Sequence, residues 1–332
     1  FRKTAQGRRQ VNTIEEIANI LKSVKSAVIF THMRPDGDTL GSGMALSRAL
    51  SMLGIENEVV NADPIPEKFF FLPGMKDIRT APTLDAEAYI CVDSSETGRL
   101  GELQEVFLAG AKKKKITLNV DHHISNTRYA KYNCVNICSA NCENISELID
   151  ALGVKKDKAI ADYLMTGLIT DSGNFTHSDV NGRTFRIAAA AADAGADNNT
   201  INYELFRKQK RARAEAYAEV ISHLRYLLDD RLAIALIPLE LLARHGATAD
   251  MTEGFVDFAL TVDTVEVSVS LMEVKTGQYK ASLRSKGKTN VNAIASVYGG
   301  GGHILASGCM LFGEIEEVID KLRYTVSQHL AE

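Results

Sequence analysis

The chain has 332 residues, of which 45% are hydrophobic and 24% charged, and its formal net charge is −4. This is the composition of an ordinary soluble globular protein, and the length favours two domains over one. The negative balance argues against binding of long nucleic acid, and the lack of a run of about 18 apolar residues argues against a transmembrane helix.

The cysteines indicate a reducing environment. There are five of them, an odd number without a disulfide-scaffold pattern, so we expect a cytoplasmic protein. The series Cys134, Cys138 and Cys142 invites a zinc interpretation, but it lacks a nearby fourth ligand and the usual pairing, and we expect packing positions instead. The start, 1–3, has no initiator Met and no signal-peptide apolar stretch, and we expect a trimmed end.

Helices and strands are predicted to alternate through the first half of the chain. The capping box at 13–16 opens a helix that extends to about Val24. The following strands are predicted at 27–30, 58–60, 88–92 and 116–121, and the helices at 40–53, 145–152, 158–168 and 180–194. This alternation predicts a doubly wound, mainly parallel α/β sheet.

The second half of the chain has a different pattern. Residues 204–228 carry apolar side chains at helical spacing, which predicts a long amphipathic helix between two domains. Beyond it we predict strands at 232–237, 265–271 and 279–284, and helices at 290–297 and 314–330. We therefore expect an N-terminal domain at 1–195, a helical linker at 196–229 and a smaller α/β domain at 230–332.

Acids and histidines follow apolar stretches at four places in the N-terminal domain. They are His32 with Asp36 and Asp38, then Asp93, then Asp121 with His122 and His123, and finally Asp171. The carboxyl ends of parallel strands meet at one sheet edge, so we expect these side chains to lie close together. Close carboxylates need a compensating charge, and mixed imidazole and carboxylate sets suit a divalent metal such as manganese.

Each member of this set has a simpler explanation when taken alone. Asp-Gly in a loop is usually a turn, and His32 could be a core histidine. The pair His122 and His123 would face opposite directions within a strand, or would lie past its end where the chain bends. Taken together, the four places predict a site for two metal ions, with Asp36 and Asp38 serving different ions.

These motifs resemble those of the DHH family of phosphoesterases, in the branch with a DHH-associated C-terminal domain. The similarity covers residues from about 14 to 330. The motifs that carry it are 32–42, Asp93, Asp121-His122-His123, 170–175 and the glycine-rich segment 299–308. The chain departs from the family pattern at Ser307, where alanine is common, and in the three cysteines that follow the third motif.

The resemblance implies a catalytic domain with two Mn²⁺ ions, for which Mg²⁺ or Co²⁺ could substitute. One ion would be held by His32, Asp36 and Asp93, and the other by Asp38, Asp93, His122 and Asp171. Asp93 would bridge them, and an activated hydroxide would attack the phosphorus. His123 would contact the phosphoryl oxygens or assist the leaving group, and Asp121 would orient an imidazole.

The resemblance also implies substrate contacts in the C-terminal domain. Arg284, beside Ser285, would bind a phosphate with its forked donors. Gly300, Gly301 and Gly302 would let backbone N–H groups approach a nucleotide, with His303 as a further contact.

The function implied is hydrolysis of small nucleotides by a cytoplasmic homodimer. Family members act on cyclic di-AMP or its linear product pApA, on very short RNA, or on 3′-phosphoadenosine 5′-phosphate. Two alternatives stay open at this point: an inorganic pyrophosphatase or polyphosphatase, whose substrate has no base, and a nucleotide sensor without catalysis.

Overall fold

The computed structural model describes residues 11–330, and the chain divides into two compact units. The first unit ends at Lys208 and the second begins at Gln209. The start of the chain, for which we expected a trimmed end, lies outside the described residues. Within those residues, no helix has both the length and the apolar character needed to cross a membrane.

The first unit is built on a parallel sheet, as predicted. Among the described residues it has five strands in the order β2-β1-β3-β4-β5, and all neighbouring pairs are parallel. The strands are β1 (Ser26–Phe30), β2 (Glu56–Val60), β3 (Ala88–Val92), β4 (Ile116–Asp121) and β5 (Tyr132–Val135). Every residue of β3 is buried, because a central parallel strand is covered on both faces.

Helices cover this sheet. They are α1 (Ile14–Lys22), α2 (Gly37–Met52), α3 (Gln104–Lys112), α4 (Asn141–Leu152), α5 (Lys158–Asp171), α6 (Gly182–Asp193) and α7 (Asn198–Asn202). Alternate residues of β1 belong to different cores: Ile29 packs in the cluster that contains α1, α2, α4 and α5, whereas Phe30 packs with Phe107 of α3. The alternation follows from the two-residue period of a strand.

The sheet order brings three polar segments to one edge. Strand β1 lies between β2 and β3, so the chain reverses its direction across the sheet there, and ligands bind at such a point in open α/β sheets. His32, Asp93 and His122 follow the carboxyl ends of the adjacent strands β1, β3 and β4. Asp171 comes from a helix, as the helix predicted at 158–168 indicates, and it is the last residue of α5.

The continuous helix predicted at 204–228 is wrong. The structure has a π-helical segment at Tyr203–Arg207, then extended backbone at Lys208 and Lys210, then α8 (Arg211–Ser222) and β6 (Arg225–Leu227). Helical periodicity did not predict the strand β6, because β6 forms through backbone pairing with the next strand of the second unit. The proposed 196–229 linker therefore contains several short elements.

The second unit has a mixed sheet. Its order among the described residues is β10-β11-β9-β8-β7-β6, with only β7 and β8 parallel. Its elements are β7 (Leu232–Ile237), α9 (Leu239–His245), β8 (Val267–Lys275), β9 (Gln278–Ser285), α10 (Val291–Val297), β10 (Gly301–His303), β11 (Ala306–Phe312) and α11 (Ile315–Ser327). Helices α10 and α11 pack on one face of this sheet, and the short 3₁₀ segments Ala249–Thr252 and Phe255–Thr261 lie between α9 and β8.

Replacement of the first helix cap tests how local sequence contributes to stability. The Thr13 side chain accepts from the Glu16 N–H, and the Glu16 carboxylate accepts from the Thr13 N–H. We expect Thr13→Ala to lower the free energy of unfolding in urea by about 1 kcal/mol, because one helix N–H loses its acceptor. Thr80→Ala, at an exposed threonine, is the control and should change it by less than about 0.5 kcal/mol. Equal effects would contradict a specific capping role.

Candidate metal centre

Asp93 lies at the middle of a buried polar cluster in the first unit. It follows β3 directly and has a positive φ of 53°, a conformation that is uncommon for a residue other than glycine. Its Oδ2 is 3.4 Å from His32 Nε2, and its Oδ1 is 3.3 Å from His122 Nε2. The two oxygens of one carboxylate thus face two different imidazoles.

The first group of potential ligands is formed around His32. Its Nε2 is also 3.5 Å from Asp36 Oδ2, while its Nδ1 donates to the Met33 carbonyl at 2.8 Å. Asp36 caps helix α2, because its Oδ1 accepts from the N–H groups of Asp38 and Thr39. The cap directs one Asp36 oxygen into the helix and leaves the other for His32.

The second group is formed around His122. Its Nε2 is 4.0 Å from Asp38 Oδ2 and 3.5 Å from Asp171 Oδ2, and its Nδ1 donates to the Cys138 carbonyl at 2.9 Å. Asp38 is fully buried and accepts from the backbone N–H groups of residues 141 and 142, at 2.5 and 2.9 Å. These N–H groups belong to the first turn of α4, so Asp38 acts as a tertiary cap of that helix.

His123 lies beside the two groups and is oriented by Asp121. Its Nδ1 is 2.8 Å from Asp121 Oδ1 and 3.7 Å from Asp93 Oδ1. Asp121 Oδ2 in turn accepts from the Asn126 side chain. The rings of His122 and His123 lie 4.5 Å apart, because β4 ends at Asp121 and the chain bends there. The bend allows two consecutive histidines to reach one site.

The protonation of the cluster reflects its crowding. Burial opposes a charge on His32, but Asp36 and Asp93 outweigh it and raise the pKa of His32 to about 10. Burial likewise opposes a charge on His122, yet Asp93 and Asp38 raise its pKa. Burial and repulsion from Asp93 raise the pKa of Asp171 to about 6. When no metal ion is bound, protonated His32 and His122 would balance the negative charge of the carboxylates around them.

The cluster fits divalent cations. Asp93 Oδ1 is buried and accepts no hydrogen bond from the described residues, although a buried carboxylate oxygen requires a partner. Because His32 and His122 donate through Nδ1, their Nε2 atoms are oriented as ligands. Donor atoms within 4.8 Å of one another occur in three sets, namely His32 with Asp36 and Asp93, Asp38 with His122 and Asp171, and Asp93 with His122 and His123. The five cysteines are buried thiols outside these sets.

Proton release on metal binding follows from these pKa values. Both His32 and His122 carry raised pKa values and must lose a proton to coordinate a metal, so the affinity for Mn²⁺ should rise between pH 6 and pH 8. Titration calorimetry at pH 7 in buffers of different ionisation enthalpy should detect the release. The matched variant His177→Gln should release as many protons as the parent, since its Nδ1 bonds the Asp171 carbonyl outside the donor sets. An affinity independent of pH would contradict this assignment.

The second unit contains the predicted substrate residues. Arg284 on β9 is half-buried, and its Nε is 3.3 Å from Asp257 Oδ1. Gly301, Gly302 and His303 form the exposed strand β10. Residue pairing places His303 opposite Ala306 and Ala306 opposite Arg284, so Arg284 and His303 share one row of the sheet.

Two predicted substrate residues have other surroundings. Ser285 is buried, and its Oγ accepts from the Gly287 N–H. Gly300 packs against β11, where an added Cβ would lie 2.2 Å from the Gly308 carbonyl. A substrate role for these two residues stays a prediction.

Sequence reasoning missed three groups that shape the metal centre. They are the Asn126 side chain, the Cys138 carbonyl and the N–H groups at the start of α4. The carbonyl and the N–H groups belong to the backbone, which is the same for nearly every residue type, so the sequence does not indicate that they contact the site. Asn126 is three residues beyond His123, and nothing in that spacing indicates a hydrogen bond to Asp121.

Two domain families match parts of this chain. Residues 26–168 match the model of the DHH family N-terminal domain, and residues 229–332 match the DHHA1 domain. The chain is 31% identical to the bifunctional oligoribonuclease and PAP phosphatase NrnA of Thermus thermophilus, over 95% of this chain and 93% of that protein. It is 28% identical to the protein of the same name from Mycoplasma genitalium, over 90% of this chain and 92% of that protein.

A solved structure shows the same architecture. It is an exopolyphosphatase-related protein from Bacteroides fragilis, with a TM-score of 0.82, 25% identity and 95% coverage of both chains. The fold, the site and the relatives define a hydrolase of phosphoester bonds. The chain belongs to the DHH family, with an N-terminal DHH domain and a C-terminal DHHA1 domain.

Proposed function

We propose that the protein is a Mn²⁺-dependent phosphodiesterase or phosphatase that hydrolyses small nucleotides. The observation that carries the proposal is the position of Asp93, whose two oxygens face His32 and His122 in two different ligand groups. One carboxylate shared in this way suits a pair of metal ions. When bound, such a pair would lower the pKa of a water molecule and balance the negative charge on the attacked phosphoryl group.

The protein's own residues would have distinct roles. His32, Asp36 and Asp93 would hold one ion, and Asp38, Asp93, His122 and Asp171 the other. His123 would be the catalytic residue nearest to the substrate. Asp121 raises the pKa of His123 through their hydrogen bond, so a protonated His123 would donate from Nε2 to a phosphoryl or leaving-group oxygen.

The C-terminal unit would bind the part of the substrate that does not react. Arg284 and His303 lie in one row of its sheet, and both can donate to phosphate oxygens. The exposed β10 backbone at Gly301 and Gly302 would allow close approach of a nucleotide. We extend the proposal to a cytoplasmic location, on the free cysteines, and to a homodimer, on the family resemblance alone.

A substrate panel tests this function. The protein with Mn²⁺ should be incubated with pApA, cyclic di-AMP, very short RNA and 3′-phosphoadenosine 5′-phosphate, and the products separated by chromatography. We expect hydrolysis of at least one of these compounds, and its loss on chelation. No turnover of any of them with metal present would contradict the proposal and favour a nucleotide sensor.

The second candidate is a polyphosphatase or inorganic pyrophosphatase. It is favoured by the similarity to a structure described as exopolyphosphatase-related. Pyrophosphate and polyphosphate have no base, so they would require no nucleotide contacts from the second unit. Faster release of phosphate from these compounds than from any nucleotide would establish this alternative.

A further inference from the structure

The loop after β4 holds the Asn126 side chain beside the metal centre. The Asn126 N–H donates to the His123 carbonyl at 3.1 Å, which closes a turn directly after the two histidines. The Asn126 Oδ1 accepts from the Arg128 N–H at 2.7 Å, and Arg128 has a positive φ of 54°. The loop itself therefore fixes both the backbone and the side chain of Asn126.

The amide nitrogen of Asn126 faces two side-chain oxygens of β4. It donates to Asp121 Oδ2 at 2.6 Å and to Asn119 Oδ1 at 2.8 Å, and its contact with the Ser94 carbonyl is longer, at 3.4 Å. An amide NH₂ group has two hydrogens, so the two short bonds use both of them. Because the Asn126 oxygen faces an N–H group and its nitrogen faces oxygens, the surroundings allow one orientation of the amide.

Asn119 continues this network into the interior of the first unit. It is fully buried, and its Nδ2 donates to Tyr129 Oη at 3.1 Å and to the Ser94 carbonyl at 3.2 Å. Asn119 and Asp121 are two residues apart on β4, so their side chains lie on the same side of the strand. The Asn126 amide joins these two side chains and thereby connects Asp121 to a buried hydrogen-bond network.

Asp121 contacts a different neighbour with each carboxylate oxygen. Its Oδ1 accepts from His123 Nδ1 at 2.8 Å, and its Oδ2 accepts from Asn126. The His123 side chain is 38% exposed, so packing alone does not fix its ring. A carboxylate held through one oxygen could turn about its Cβ–Cγ bond, because this torsion has a broad energy minimum. The hydrogen bond from Asn126 therefore determines the direction in which His123 Nε2 faces.

We propose that Asn126 is a positioning residue for the hydrolysis and that it acts through Asp121 to orient His123 toward the substrate. Asn126 itself would contact neither the substrate nor a metal ion. Its Nδ2 would keep the Asp121 carboxylate in one orientation, and the carboxylate would keep the imidazole in the orientation that points Nε2 at the phosphoryl group. This inference rests on the proposed function for the role of His123, but the orientation of the ring can be observed without hydrolysis.

Steady-state kinetics with saturating Mn²⁺ test the proposal on the nucleotide that the parent hydrolyses fastest. We expect Asn126→Ala to lower kcat about tenfold to a hundredfold with KM nearly unchanged, because the group that orients an imidazole is lost. His123→Ala should lower kcat further. The double variant should be no slower than His123→Ala, since a residue that acts only through His123 then has nothing to position. Multiplied losses in the double variant would overturn the proposal.

Two further variants separate positioning from a loss of structure. Asn126→Asp keeps an oxygen to accept from the Arg128 N–H but has no amide donor, and it should lower kcat as Asn126→Ala does. It tests the proposal even if Asn126→Ala unfolds. The matched control is Asn181→Ala: the Asn181 Oδ1 also accepts from an N–H two residues on, at 2.8 Å, but its amide donates to the Asp179 carbonyl. It should keep the kcat of the parent, and an equal loss there would contradict a specific role of Asn126.

Crystal structures in EDTA separate this inference from the proposed function. We expect the His123 ring and the Asp121 carboxylate to keep their hydrogen bond in the parent and in Asn181→Ala, and to lose it or become disordered in Asn126→Ala and Asn126→Asp. The same orientation of both groups in the parent and in the two Asn126 variants would overturn the positioning role, whatever the parent hydrolyses. The expected change of orientation in a protein that hydrolyses no phosphoester would instead support the role of Asn126 and contradict the proposed function.

Discussion

Asp93→Asn is expected to reduce Mn²⁺-dependent hydrolysis of pApA by at least about 10³-fold, because loss of the charge stabilisation from a metal costs several kcal/mol and each 1.4 kcal/mol is a factor of ten. The amide has one oxygen and no charge. Its NH₂ group would have to face either His32 or His122, both of which now face carboxylate oxygen. Initial rates with saturating Mn²⁺ measure the effect.

Metal content distinguishes the bridging role from a general loss of structure. We expect elemental analysis to find fewer Mn²⁺ ions per chain in Asp93→Asn than in the parent, with an unchanged circular-dichroism spectrum. The melting temperature in EDTA at pH 7 should fall, because the variant loses the carboxylate that pairs with protonated His32 and His122. Asp193→Asn, at an exposed carboxylate near the end of α6, is the matched control and should keep full activity. Retained Mn²⁺-dependent hydrolysis in Asp93→Asn would remove the bridging role.

Gly41→Ala is expected to destabilise the protein by about 3 kcal/mol or more, near the upper end of the cost of overpacking a core. Helices α2 and α5 approach each other closely at this glycine. A Cβ there would lie 2.4 Å from the Tyr163 carbonyl oxygen and 3.2 Å from the Gly167 backbone nitrogen. Both are backbone atoms in a helix, so the two helices would have to separate. Urea unfolding in EDTA measures the change.

The same substitution should weaken the metal centre, since α2 carries Asp38 and α5 ends at Asp171. Separation of the helices would move these two ligands apart, and we expect a higher Mn²⁺ requirement for activity in Gly41→Ala. The control is Gly98→Ala, where the nearest atom to an added Cβ is 3.8 Å away and φ is not positive. If Gly41→Ala were as stable as Gly98→Ala, the close approach of α2 and α5 would not be a constraint.

Local sequence was sufficient to predict most helices and strands of the first unit. The strand Ala88–Val92 has the predicted bounds, and the capping box at Thr13 opens α1 as expected. These predictions succeed because a buried parallel strand is a continuous apolar run and a capping box is a contact between residues three apart. The broken segment after Tyr203 was predicted incorrectly, because its β6 part depends on a partner strand.

The residue types of the candidate site were also readable from the sequence, since an acid or histidine after a buried strand of a parallel sheet must lie at the ligand edge. Tertiary structure alone decided how they are held. Asp38 caps a helix more than a hundred residues away along the chain, and Asp171 joins the cluster from the end of α5. The tertiary structure also decided that both Asp93 oxygens face histidines. It decided as well that Gly301, Gly308, Ser282 and Ser270 align across the second sheet. Such contacts depend on distances between distant segments, which one-dimensional spacing does not contain.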